Sequence, residues 1–352
     1  MWDVIVAGAG PAGSAAAYML ARAGCLTLLA DRLAHQGSKI GETLPGAGVR
    51  LLRSLGLPAP EIGGPHRSVS AILSSWNSHD LLARYSIRDP YGTAWRLDRD
   101  TFDADLRLAA TVAGATFEAK SVSELQTRNG RWEVRFSDGT IEHAKWIVDA
   151  TGRRAALARR LGVNRFRDQR LIAFYGLGRI DPDWQVDRTI MEAVSDGWWY
   201  AARLPSGAPI AGFHTRARKA ADLRTKPDAW TKELIQTQHV SKFVSPKLFD
   251  KPPRALDARG ARLADFDGDG WIACGDAAMC FDPISGQGIF SALQSGHAAA
   301  KAVIDALDGD TAKLSEYSSR MEDAWAIYRS RAQIVYRSER RWQNAGFWSC
   351  ER

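Results

Sequence analysis

Apolar and polar positions along this chain follow two periods, one of strands and one of helices. Near the start, Val4-Ile5-Val6 is a short, fully apolar run, the mark of a strand buried on both faces. It leads through Gly8, Gly10 and Gly13 into a helically spaced stretch, and a second apolar run closes on Asp31. A polar connection, His35 to Lys39, comes next, then a helix over Val49 to Leu55 stopped by Gly56. Ser68 to Trp76 and Leu81 to Ile87 read as strands joined by a turn at Asn77-Ser78-His79-Asp80. Asp98 is placed to cap a helix running through Ala113, with Phe102, Leu106 and Ala109 on one face. Val122 to Leu125, Trp132 to Phe136 and Ile141 to Val148 form a meander, turning at Asn129-Gly130 and Asp138-Gly139. Leu171 to Phe213 is strand-like and rich in aromatics, and Trp271-Ile272-Ala273 is a further buried strand. Two long helices follow, over Gly286 to Leu307 and Thr311 to Trp342.

The first segment carries the most chemistry. Its three glycines have separate tasks: Gly8 permits the tight strand-to-helix turn, Gly10 lets a pyrophosphate approach the backbone, and Gly13 lets helix and strand pack closely. The helix start offers unpaired N–H groups and a positive dipole end to phosphates. Asp31, ending the second strand with Arg32 beside it, stands where a carboxylate accepts hydrogen bonds from an adenosine ribose. The fold class is therefore α/β. A discontinuous Rossmann-type nucleotide domain is expected over 1–67, 98–165 and 255–310. An inserted antiparallel-sheet substrate domain is expected over 68–97 and 166–254, and a C-terminal helical segment over 311–352.

Composition narrows the classes. Hydrophobic residues at 45% and charged residues at 25% are ordinary for a soluble globular protein. No apolar stretch approaches the roughly eighteen residues of a membrane span. The first strand begins at Asp3, which leaves no room for a signal peptide. Cys25, Cys274, Cys280 and Cys350 have no metal-ligand or disulfide-framework spacing, so neither metal nor disulfide is expected, and a cytoplasmic location fits. The net charge of +7 comes from scattered pairs such as Arg153-Arg154 and Arg340-Arg341, read as solvated faces rather than a nucleic-acid footprint. Such a surface also attracts acidic cofactors or partners.

Three motifs in order, Gly8-x-Gly10-x-x-Gly13, Asp149-Ala150-Thr151-Gly152 and Gly275-Asp276, resemble the group A flavoprotein monooxygenases, with a para-hydroxybenzoate hydroxylase-like fold. The resemblance implies FAD as cofactor. It assigns the ADP half to the first motif, including Ala12, and the ribitol or pyrophosphate to Asp276. Asp149 and Gly152 stand near the dinucleotide, and Arg99 matches the family arginine close to FAD. Phe281 to Ile289, with Pro283, Ser285, Gly286, Gln287 and Gly288, is similar to the loop that carries the isoalloxazine into the next helix.

Ile40-Gly41-Glu42-Thr43-Leu44-Pro45 and Gly197-Trp198-Trp199-Tyr200 also resemble segments of the flavin-dependent halogenases. The halogenase lysine, however, falls at about Ser68 here, and the tryptophan-halogenase glutamate at Ser285. The smaller LodB-like maturases of quinone-cofactor oxidases share more: Gly41 to Pro45, the Asp282-Pro283-x-Ser285-x-Gln287-Gly288 loop, Tyr91-Gly92 to Arg99, and Gly197 to Tyr200. That resemblance implies hydroxylation of an indole through a flavin C4a-(hydro)peroxide, with O2 as co-substrate, on a tryptophan of a partner oxidase precursor. Candidate catalytic residues are Glu42, Trp199, Tyr200 and Ser285, with Trp198 beside them and Glu42 and Thr43 also near the flavin. No second dinucleotide fingerprint appears, so electrons are expected from transiently bound NAD(P)H or a separate flavin reductase. Alternatives are a halogenase of a small aromatic and a geranylgeranyl-reductase-like enzyme.

Overall fold

The computed structural model describes residues 1–32, 40–180, 187–226 and 228–349, so the connection read at His35 to Lys39 lies outside the described residues. Its central sheet runs Asp267–Gly268, Trp271–Ala273, Ile141–Asp149, Trp2–Ala7, Thr27–Ala30 and Thr116–Glu118 in spatial order. The four strands from Trp271–Ala273 to Thr27–Ala30 pair in parallel, as does Thr116–Glu118 with its neighbour. Val4, Ile5, Val6, Leu28, Leu29 and Val148 are all fully buried there, because helices cover the sheet. The meander of Val122–Arg128, Arg131–Phe136 and Ile141–Asp149 extends this sheet. Asn129 and Gly130 both take positive φ at its first turn, as a two-residue hairpin requires.

Helix Pro11–Arg22 packs against helix Gly288–Leu307. Their approach needs glycine: a Cβ on Gly296 would lie 2.2 Å from the Ala12 carbonyl oxygen. Asp98 caps helix Arg99–Val112 by accepting from the Thr101 N–H at 3.0 Å. Helix Gly46–Leu55 ends on Gly56 in the left-handed region.

The second sheet has seven strands, in the order Arg254–Asp257, Ile172–Leu177, Pro209–Thr215, Gly197–Arg203, Arg188–Val194, Ala71–Ser75 and Leu82–Tyr85. The strand expected over Ser68 to Trp76 is divided. Arg67–Val69 pairs with Ala94–Arg96 in a small three-stranded sheet, whereas Ala71–Ser75 joins the large one. Ser70 makes the break, its N–H and hydroxyl both held by the Asp187 carbonyl. The strand expected over Leu81 to Ile87 also stops early, turning into a 3-10 segment at Ser86–Arg88. Helices Ala217–Thr225, Ala229–Ile235 and Val240–Phe243 back one face of the seven-stranded sheet; composition gave no warning of them. The last helix, Ala312–Ser338, ends four residues before Trp342.

Candidate functional site

Above the first strand the backbone forms a cradle. Gly8 sits at φ +107°, and a Cβ there would meet the Ala150 carbonyl oxygen at 2.2 Å; one on Gly13 would meet the Gly8 carbonyl at 1.8 Å. A Cβ on Gly10, by contrast, meets nothing within 4 Å. Helix Pro11–Arg22 starts at Gly10 with no side-chain cap and no acid in its first turn. Its first N–H groups therefore have no side-chain acceptor, the arrangement that accepts a pyrophosphate. Gly286 and Gly288 are similarly open, and helix Gly288–Leu307 also starts without a side-chain cap or an acid. These open helix starts fit FAD: Gly10, Ala12 and Gly13 would hold the diphosphate, and Gly286 to Gly288 the flavin ring.

Asp31 accepts the Ala9 N–H at 2.7 Å, which fixes the carboxylate beside the glycine turn; Arg32 is exposed next to it. Asp276 follows the strand Trp271–Ala273 on a 3-10 turn. Its side chain remains 39% open, with Arg153 at 3.6 Å. Desolvation by the surrounding protein raises the Asp276 pKa, while Arg153, Arg165 and Arg99 pull it back. Gly275 is held by the Ser295 hydroxyl through its N–H, at 2.9 Å.

Asp149 ends its strand beside Ala7, next to the glycine turn. It is buried, and its two oxygens accept from the Thr151 N–H and hydroxyl and from the Leu157 and Ala158 N–H groups, at 2.6 to 3.0 Å. That carboxylate braces the turn and caps Ala156–Arg160. Gly152 provides the positive φ that the turn needs. Arg99 clamps Asp103 with two contacts of 3.2 Å and donates to the Gly41 carbonyl, so it secures the segment leading to Glu42.

Glu42 lies at the centre of a buried polar cluster. Arg96, 3% exposed, donates to Glu42 at 3.2 Å, to the Thr43 hydroxyl at 2.6 Å, to the Tyr200 hydroxyl at 2.6 Å and to Thr189 at 2.7 Å. Tyr200 donates to Glu42, whose other oxygen accepts the Gly41 N–H at 3.0 Å. Burial pushes the Tyr200 pKa well above its ordinary value, so its proton stays on oxygen. The cluster joins the flavin loop through packing: Ile40, Tyr200 and Ile284 lie against one apolar core.

The strand Gly197–Arg203 sends alternate side chains to opposite faces. Trp198 and Tyr200 face the loop and the last helix, in the cluster that contains Ile284. Trp199 is on the other face, fully buried, stacked on Phe213 at 4.8 Å and against Trp230. The expectation that Trp199 stands against flavin or substrate fails for that reason. Ser285 is half-buried in the loop, near the Gln287 N–H at 3.4 Å, and Gln287 is exposed. Pro283 opens the 3-10 turn that Asp282 caps at the Ile284 N–H.

Sequence reasoning missed Arg96, Asp282 and Tyr336. Tyr336 donates to Asp282 at 2.7 Å and accepts from the Trp198 indole N–H at 3.1 Å. Trp198 stacks on His214 at 3.6 Å, and His214 bonds Tyr175 at 2.8 Å. An arginine inside a strand otherwise reading as buried, Ala94–Arg96, was the available signal for the first of these. Nothing local marks Tyr336. Among the described residues, no group of His, Cys, Asp and Glu could hold a metal ion, and no helix is long and apolar enough to cross a membrane.

Residues 1–330 match the family model of the FAD binding domain. The chain belongs to that family. It is similar to the putative FAD-dependent oxidoreductase LodB of Marinomonas mediterranea, 29% identical over 366 residues, covering 99% of this chain and 96% of that protein. Its fold matches the myxobacterial chondrochloren halogenase CndH with a TM-score of 0.86 at 22% identity, over 100% of this chain and 86% of that one. It also matches QhpG, a peptidyl tryptophan dihydroxylase essential for tryptophylquinone cofactor biogenesis, with a TM-score of 0.81 at 24% identity, over 99% and 78%. This family member is an FAD-dependent oxidoreductase enzyme, as its motifs imply.

Proposed function

We propose that this flavoprotein inserts oxygen into an indole, on a tryptophan side chain of a partner protein. The observation that favours oxygenation over halogenation is the make-up of the polar cluster beside the flavin loop. Its bonded members are Glu42, Thr43, Arg96, Thr189 and Tyr200, with no lysine. Ser68, where the resemblance would put that lysine, is an exposed strand residue paired with Trp95. Likeness to LodB over nearly the whole of both chains supports the reading, as does the fold shared with a peptidyl tryptophan dihydroxylase.

Reduced FAD, when bound, supplies activation of O2. The protein's share is position and exclusion of water. Arg96 and Glu42 neutralise each other, which leaves a rigid neutral wall that keeps Tyr200 protonated and fixed. An indole is electron-rich enough to need no strong base, in keeping with Glu42 being fully engaged. Electrons come from NAD(P)H or a separate flavin reductase.

Intact-mass analysis of oxidase precursors and of free tryptophan tests the reading, with reduced protein, O2, and halide present or omitted. Gains in steps of about 16 Da, one oxygen atom each, are expected on the precursor. A halide-dependent gain on a small aromatic would establish the halogenase instead.

A further inference from the structure

A cleft of about 330 Å³ opens between the last helix and the strand-rich half of the molecule. It does not include Glu42, Arg96 or Tyr200, although Asp282 forms part of its wall. Six arginines line it: Arg167, Arg170, Arg216, Arg259, Arg329 and Arg337. Against them stand two acids of the lining, Asp168 and Asp282, and a third just outside it, Asp257, which holds Arg259 at 2.8 Å. Asp168 is already engaged by the Tyr328 hydroxyl at 3.1 Å and by Arg329 at 3.6 Å. Asp282 receives Tyr336 and the Ile284 N–H. The lining therefore carries a clear surplus of positive charge in a concavity, where fields are focused.

We propose that this cleft binds an acidic peptide segment of the partner protein. Guanidinium groups match carboxylates in fork geometry, so the chemistry suits aspartate and glutamate side chains. Shape supports a chain over a single small anion. Arg329, Gln333 and Arg337 follow one another at four-residue intervals on the helix, which spreads the positive wall over about 12 Å. An extended peptide covers that length in about four residues. A nucleotide or single-stranded nucleic acid would need an aromatic platform for its bases. The two aromatic residues of the lining are 7% and 4% exposed, and the Tyr328 ring is already stacked on Phe281 at 4.5 Å. The inference rests on the protein-substrate reading only for the nature of the partner.

Fluorescence anisotropy of a labelled oligoglutamate peptide with the FAD-loaded full chain tests it, with no reductant present. Success or failure of oxygenation thus stays outside the readout. Oligoglutamate is expected to bind, more weakly as salt rises, and oligoglutamine is not. Arg170→Glu/Arg337→Glu should weaken binding about tenfold with the FAD spectrum unchanged. The milder Arg167→Gln/Arg170→Gln should weaken it in the same direction, which covers a failure of the first pair to fold. Reversal at Arg128 and Arg131, on the remote hairpin, should change little. Equal loss in that control, undiminished binding in the cleft variants, no binding of oligoglutamate, or tighter binding of oligothymidylate would each overturn the proposal.

Discussion

The hydroxyl of Tyr336 donates to Asp282 at 2.7 Å and thereby ties the last helix to the loop that opens helix Gly288–Leu307. The same hydroxyl receives the Trp198 indole N–H, so three parts of the chain distant in sequence meet at one oxygen. Asp282 in turn shapes the 3-10 turn before Gly286. Tyr336→Phe removes the donor from Asp282 and the acceptor from Trp198, a loss of about 1–3 kcal/mol. Thermal unfolding should shift down by several degrees and FAD should bind several-fold more weakly. Unchanged values for both would show that the loop is held elsewhere.

Arg96 and Glu42 are a buried ion pair with 3% and 4% of their side chains exposed. Breaking such a pair costs about 3–5 kcal/mol, because one charge stays buried without its partner. Arg96→Met should therefore lose much of the urea stability, and Arg96→Met/Glu42→Gln should be more stable than Arg96→Met alone. Arg96→Lys should not restore activity, since an ammonium cannot reach Glu42, Thr43, Tyr200 and Thr189 in one fork. Additive losses in the double variant would contradict the pairing.

Two neighbouring glycines should respond in opposite ways. Gly10 has ordinary extended backbone and open space where a Cβ would stand, so Gly10→Ala should fold normally. Its methyl would intrude on the diphosphate, with FAD affinity expected to fall roughly tenfold or more. Gly13→Ala places a methyl against the Gly8 carbonyl and should fail to give soluble protein. Equilibrium dialysis of FAD and yield of folded protein separate the two effects.

His214 is fully buried between Trp198 and Tyr175, and burial lowers its pKa from 6.5 to about 3. The folded state keeps it neutral while the unfolded chain takes up a proton below pH 6.5. Its contribution to stability is thus complete above pH 6.5 and is lost as pH falls from 6.5 toward 3, at most about 1.4 kcal/mol per pH unit. His214→Phe should flatten that limb of the stability profile. A profile of unchanged slope in urea unfolding would assign the acid sensitivity to other groups.

Legibility in the sequence followed the range over which the signal acts. Local devices were readable: Asp98 as a cap, Gly56 as a stop, Asn129-Gly130 as a turn, and the glycine cradle. The break at Ser70 was not, because it depends on the Asp187 carbonyl far along the chain. Strand alternation puts Trp199 on the face opposite Trp198 and Tyr200, although the three are neighbours in one motif. Asp149 matched a motif, and its bonds brace the turn from its strand into the short helix Ala156–Arg160. Arg96 carried one local signal, an arginine in a strand reading as buried, but the four acceptors it gathers come from three other segments of the chain. The role of Tyr336 follows from the packing of the last helix, which no local pattern encodes.

The most direct test of the account is peptide mapping of a partner oxidase precursor after incubation with the reduced flavoprotein under 18O-labelled O2. The account predicts label on a precursor tryptophan, independent of added bromide or chloride. Halogen in place of labelled oxygen, or label only on free aromatic molecules, would contradict it.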